Sequence, residues 1–331
     1  MARSVVLQGL HLQARHRVGD AVPHAGRLVR RISGPRLRTY SPRARMNPAP
    51  AVGAQRWRDE LHDFIGFIRR PAFGPRLPGR RPANGWWADW FPTLPWPRLL
   101  QWACFLWCVN LFFLGPIAVA AAGLGGADHR LNIANVPWLQ ALIWAPLVEE
   151  LVFRYGLRHP AQARWQVPAA VVAMLYGPRP WTIWLVAAIL LLCWLPYLRG
   201  PARRGMAADW AAGLAAPSSF AAGPLARLLR RARSPMSWRN RRRYRRSFPW
   251  IFHLAMLAFA AVHLHNFSMP HTPYWLMPLL VLPQWMTGLA LGWIRTRRGI
   301  GASMLLHGMF NAGPLLVVWI ILHSPFGQMV T

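Results

Sequence analysis

Long apolar runs, broken by short polar ones, divide the chain. Leu99–Gly123 is 25 residues without a charge, enough to cross about 30 Å of hydrocarbon at about 1.5 Å per residue. A second run, Val136–Leu157, is interrupted by Glu149, Glu150 and Arg154. Val167–Tyr176 is short, and Pro178 and Pro180 separate it from the apolar Trp181–Leu198. Phe248–His265, Pro273–Ile294 and Ile300–Leu322 complete the set. Each run reads as a helix, because a helix satisfies its own backbone hydrogen bonds in lipid. The expected fold is therefore all-α, a polytopic transmembrane bundle of about six to eight helices. A hairpin at Gly177-Pro178-Arg179-Pro180 would let 167–198 cross an even number of times.

Polar stretches between the runs set the expected organisation. Residues 1–98 hold 18 Arg with many Pro and Gly and no spanning run, and read as a cytoplasmic N-terminal tail. Its first 45 residues are open to two further readings, a targeting segment or sequence upstream of a true start at Met46. Residues 99–135 form the first transmembrane helix and an outer loop, 136–322 the core, and 323–331 a C-terminal tail. The core is interrupted at 199–247 by a basic insertion with 13 Arg. Trp86, Trp87, Trp90 and Trp96 precede the first run as an interfacial aromatic belt would. Arginine in the tail, in the insertion and at 295–298 puts these segments, and the N-terminus, in the cytoplasm.

Composition narrows the class. The chain has 331 residues, of which 54% are apolar and 15% charged, against about 25% charged in soluble folds. That hydrophobicity excludes disorder for most of the length. Three cysteines, Cys104, Cys108 and Cys193, all in apolar runs, exclude a disulfide scaffold. The net charge of +30 is carried by arginine alone; no lysine occurs. Basic flanks beside apolar spans attract anionic headgroups, so the bilayer and not nucleic acid is the expected partner.

Three polar constellations lie inside apolar helices. Two of the three Glu residues in the chain, Glu149 and Glu150, are adjacent in a membrane segment, where an ionised side chain costs about 2.5–3.5 kcal/mol. Arg154 follows Glu150 by four positions, so those two can pair. Glu149 is roughly 140° away from Arg154 around a helix of 3.6 residues per turn and is left to face a cavity. A buried ion pair that fixes packing is the plainer reading of Glu150 and Arg154. The second constellation is Phe259-x-x-x-His263, and the third His307-x-x-x-Asn311, each with both members on one helix face. For His263 the plainer reading is a satisfied core histidine, and for Asn311 a hydrogen bond across helices.

In this order the three motifs resemble the signature of the CPBP family, the CAAX-protease and bacteriocin-processing intramembrane proteases. The resemblance covers about residues 136–322. One departure is the spacing: about a hundred residues separate the Glu-Glu and Phe/His motifs, where family members have a few tens, so 199–247 reads as an insertion. The resemblance implies hydrolysis of a peptide bond in a membrane-attached protein or peptide, as in CAAX processing or bacteriocin maturation. It implies Glu149 as general base, His263 as its helper, His307 and Asn311 as oxyanion donors, and Glu150 and Arg154 as their support. No cofactor is certain. Zinc held by Glu149, His263 and His307 and a metal-free, glutamate-activated water both stay open. Two non-proteolytic alternatives are an immunity or scaffold protein and a proton-coupled transporter using the Glu pair. A multi-pass protein of a bacterial plasma membrane is the expected setting.

Overall fold

The computed structural model describes residues 56–72, 87–91, 96–130, 137–198 and 236–323. All fall within one compact unit, Pro48–Thr331. The expectations for 1–55, for 199–235, for Trp86 and for the tail beyond 323 lie outside the described residues.

The described chain is helical apart from one two-residue ladder. Helix α1 is Trp57–Arg69, α2 the single turn Trp87–Trp90, and α3 Trp96–Gly125. Helix α4 covers 138–157, α5 is Pro160–Tyr176 and α6 is Pro180–Leu198. Helix α7 is Trp238–Asn266, α8 Met277–Leu280, α9 Leu282–Arg297 and α10 Ile300–His323. The ladder pairs β1, Asp128–His129, antiparallel with β2, Phe267–Ser268, tying the end of α3 to the end of α7.

Three helices, Trp96–Gly125, Trp238–Asn266 and Ile300–Ile321, are long and apolar enough to cross a membrane. Most of the residues in their apolar windows face outward, among them Leu111, Phe112, Phe113, Leu254 and Leu316. Such a continuous apolar exterior is stable against lipid, not water. The molecule is an integral membrane protein. Helices α5 and α6 fold back on each other through the turn after Tyr176, the hairpin expected from the prolines there. The first arm is longer than its apolar run, because it starts at Pro160 and carries Pro168 inside.

Helix α7 also starts earlier than its apolar run. Ser237 caps it, accepting a bond from the Asn240 backbone N–H at 3.4 Å, so Arg239–Arg246 are helical and not loop. Its buried stripe, Phe248, Phe252, Met256 and Phe259, recurs every three or four residues and packs on α9. A Cβ on Gly288 would stand 2.9 Å from the Phe259 ring, and one on Gly292 2.7 Å from Met256 and Phe252. This Gly-x-x-x-Gly pair lets the two backbones approach closely. At Gly299, φ of +119° turns α9 sharply into α10, a conformation a side chain would oppose.

Within the stretch expected to be a tail, Trp57–Arg69 is a helix built into the core. Phe64 and Phe67 are buried, and the Phe64 ring lies 5.3 Å from Trp102 and 5.6 Å from Trp293. Trp90, expected in an interfacial belt, is buried too, 5.8 Å from the Trp194 ring. Trp96 is exposed.

Candidate active site

The Glu-Glu helix is irregular where it carries its charges. Two π-helical turns, Gln140–Trp144 and Glu150–Arg154, flank the α-helical Ala145–Glu149. A short 3₁₀ turn, Tyr155–Leu157, ends the helix. Each π turn replaces i→i+4 bonding with i→i+5, a departure found most often at functional sites. The widened turn still brings Arg154 Nη1 to 2.5 Å from Glu150 Oε1.

The terminal carbonyls of this helix are claimed by other helices, which satisfies groups a helix end leaves orphaned. Gln166 of α5 donates to the Leu151 carbonyl at 3.0 Å. Arg295 of α9 donates to the carbonyls of Arg154 and Tyr155 at 3.1 and 3.3 Å. The Tyr244 hydroxyl of α7 reaches the carbonyls of Gly156 and Leu157 at 3.3 and 3.2 Å. Arg295 is itself held by Asp89 of α2 at 2.7 Å, and His159 meets the second Asp89 oxygen at 3.1 Å. Burial alone would raise the Asp89 carboxyl, but Arg295 and His159 hold it well below the usual carboxylate range.

Four of the residues singled out from sequence form one connected group. Glu150 and Arg154 are fully buried and His307 nearly so. His307 Nδ1 lies 3.3 Å from the same Glu150 oxygen that Arg154 holds. With Nδ1–H donating to Glu150, the other ring nitrogen, Nε2, faces Glu149 Oε2 at 3.6 Å. Among the described residues Glu149 Oε2, Glu150 Oε2 and Arg154 Nε and Nη2 have no hydrogen-bond partner within the protein. All four are buried, so this bonding capacity is left unused inside the protein. Ser303 stands beside Glu150, with its hydroxyl donating to the Leu291 carbonyl at 2.9 Å.

Phe259 joins the fifth residue to this group. Its ring is 4.8 Å from His263 and 5.9 Å from His307, both edge-on, and the Arg154 guanidinium lies 4.0 Å from its centroid. Phe153 abuts it at 5.5 Å. His263 opens the 3₁₀ end of α7 and donates Nδ1–H to the Phe259 carbonyl at 2.8 Å, which directs Nε2 away from its own helix. Asn311 lies one turn beyond His307 and donates to the Ala141 carbonyl at 2.9 Å, inside the first π turn of α4.

The three side chains considered as zinc ligands do not close on a common point. With Nδ1 of His307 turned to Glu150 and Nδ1 of His263 turned to a backbone carbonyl, both Nε2 atoms are left for a ligand, so the imidazole orientations themselves do not oppose a metal. Among the described residues no three His, Cys, Asp or Glu side chains stand close enough to share a cation. As arranged, they do not fit the three-ligand set of a catalytic zinc.

Sequence reasoning passed over Phe259 as a working part of the site, although its motif was visible. It also passed over Asp89 and Arg295. The first could have been found as an acid between tryptophans in an acid-poor chain; Arg295 lay hidden among topogenic arginines.

The carboxylates and imidazoles of the three motifs thus come from three helices, α4, α7 and α10, of an all-helical membrane protein. A model of the family described as type II CAAX prenyl endopeptidase Rce1-like matches residues 132–313, more than half of the chain and all three motifs. The chain belongs to this family of intramembrane CAAX-type proteases. No curated protein and no solved structure matches it.

Proposed function

We propose that this protein hydrolyses a peptide bond of a membrane-attached protein or peptide with a water activated by Glu149. The observation that carries the reading is the Glu149 Oε2 atom, 3.6 Å from His307 Nε2 and without a hydrogen-bond partner among the described residues. Glu149 takes a proton from water as its oxygen bonds to the substrate carbonyl carbon, then passes that proton to the leaving amine as the C–N bond breaks. His307, oriented by Glu150 at Nδ1, presents Nε2–H to the developing oxyanion, with the second amide hydrogen of Asn311 beside it. His263 Nε2 orients the attacking water. Glu150 and Arg154 fix the imidazole and the end of the helix.

The same proposal includes a multi-pass course through a bacterial plasma membrane and two client classes, prenylated CAAX tails and bacteriocin-type peptides. Full-length protein in liposomes, given a membrane-anchored peptide with or without a prenylated CAAX end, tests it by mass spectrometry of the products. Cleavage that disappears in Glu149→Gln and persists after chelation supports the reading. Cleavage retained by Glu149→Gln, or lost on chelation and restored by zinc, overturns it.

A further inference from the structure

Beside Phe153, α4, α5 and α7 line an open groove of about 520 Å³. Phe153 and Leu157 of α4, Ala163 and Val167 of α5, and Ile251 and Ala255 of α7 line it. Helix α7 is pinned to α4 at two points, Tyr244 on the Gly156 and Leu157 carbonyls and Phe259 on Phe153. The groove runs along α7 from Asn240, past Tyr244, to Ala255. Its volume lies in the range of pockets that bind small molecules, about 300–1,000 Å³.

The polar groups of the lining gather at one end. Asn240, Arg243 and Ser247 join the wall near the start of α7, and Arg239 and Arg246 share the helix face of Arg243 at spacings of four and three. All three arginines are exposed, and none has an acidic partner among the described residues. The α9 arginines differ, since Arg295, Arg297 and Arg298 are each paired with an acid. With Arg241, Arg242 and Arg245 the first turns of α7 carry six arginines, and a cluster of four to eight basic residues where a membrane helix meets the cytoplasm is the pattern that attracts anionic lipid. From Asn240 to Ala255 the groove follows α7 for about 22 Å. This equals about half of the 40–45 Å thickness of a bilayer with its headgroups, one leaflet from phosphate to midplane.

We infer that this groove binds an anionic phospholipid of the cytoplasmic leaflet. One acyl chain lies between α5 and α7, and the phosphate rests on Arg239, Arg243 and Asn240. No residue of this rim belongs to the catalytic group, so the site stands whether or not the hydrolase reading does.

The test uses purified full-length protein in detergent micelles, with dioleoylphosphatidylglycerol and dioleoylphosphatidylcholine as probes and native mass spectrometry as the readout. Wild-type protein is expected to retain one phosphatidylglycerol, about 10-fold in preference to phosphatidylcholine, with the preference fading as salt rises. The exposed pair Arg239→Gln/Arg243→Gln removes the preference without lowering the unfolding midpoint measured free of lipid. Ala255→Phe, which fills the groove, removes retention of both lipids. Equal retention of the two lipids by wild type, or a preference unchanged in the rim variant, overturns the inference. Displacement of phosphatidylglycerol by a prenylated peptide also overturns it and assigns the groove to substrate.

Discussion

Glu149 and Glu150 are neighbours in sequence with opposite environments, and their removal should separate chemistry from stability. Glu149→Gln keeps the shape of a half-buried side chain and leaves the Arg154 pair intact. Cleavage should fall at least about 100-fold while the unfolding midpoint in micelles stays within a degree or two. Glu150→Ala strips Arg154 of its buried counter-ion and His307 of its Nδ1 acceptor. Chemical unfolding should register a loss of about 3–5 kcal/mol, because a charge is left buried without a partner. A protein that tolerates the second change better than the first contradicts this division. The Glu150–Arg154 pair was legible from sequence because four-residue spacing survives the change from α to π winding. Phe259 was legible only as half of a motif. Its contacts with Arg154, His263 and His307 depend on the approach of α7 to α4, which no local spacing records.

At the level of elements, apolar runs located the described helices well and their ends poorly. Hydropathy marks where lipid is, whereas α7 begins ten residues earlier, in arginines that are helical in water, and α5 begins seven residues earlier. The second π turn of α4 left no trace in the pattern of side chains, and the carbonyls at that end of the helix are claimed by α5, α7 and α9, whereas the first runs into Pro146. Helix α9 is the support behind Phe259. Gly288→Ala places a methyl 2.9 Å from that ring, which must shift toward the imidazoles. The expected result is a fall in kcat of roughly 10-fold or more with KM little changed, the pattern of a site displaced by a fraction of an ångström. Gly123→Ala, at a glycine with open space around it, is the control and should leave kcat unaltered.

For the whole molecule, three arginines at the end of α9 are matched with acids from far earlier in the chain. Arg298 pairs with Glu60, Arg297 with both oxygens of Asp63 at 2.8 Å, and Arg295 with Asp89. From sequence these arginines were read as orientation signals and not as partners, because pairing over some two hundred residues has no local signature. The acid Glu60 and the spacing of Trp57, Leu61, Phe64 and Ile68 were the available signal for α1. Glu60→Gln should lower stability by about 3–5 kcal/mol in denaturant titration, since Arg298 loses its counter-ion and one of the two oxygens that serve Arg298 and the Trp102 indole becomes an NH₂ group. Asp89 gives a dependence on pH. Its folded-state value is depressed, so the stability it contributes is complete above about pH 4, the ordinary range of Asp, and is lost as pH falls through the folded value. Melting curves from pH 3 to 8 should show an acid limb for the wild type that is shallower in Asp89→Asn, which is also less stable at neutral pH.

This long-range matching bears on how the protein is made. A ribosome adding about 5–20 residues per second places Asp63 and Arg297 roughly half a minute apart. Until Arg295 emerges, Glu60, Asp63 and Asp89 have no counter-ion from α9, and α1 has no Trp293 to pack against. A nascent chain halted in that interval would present an undocked amphipathic segment to quality-control proteases, and release of the last hairpin would withdraw it.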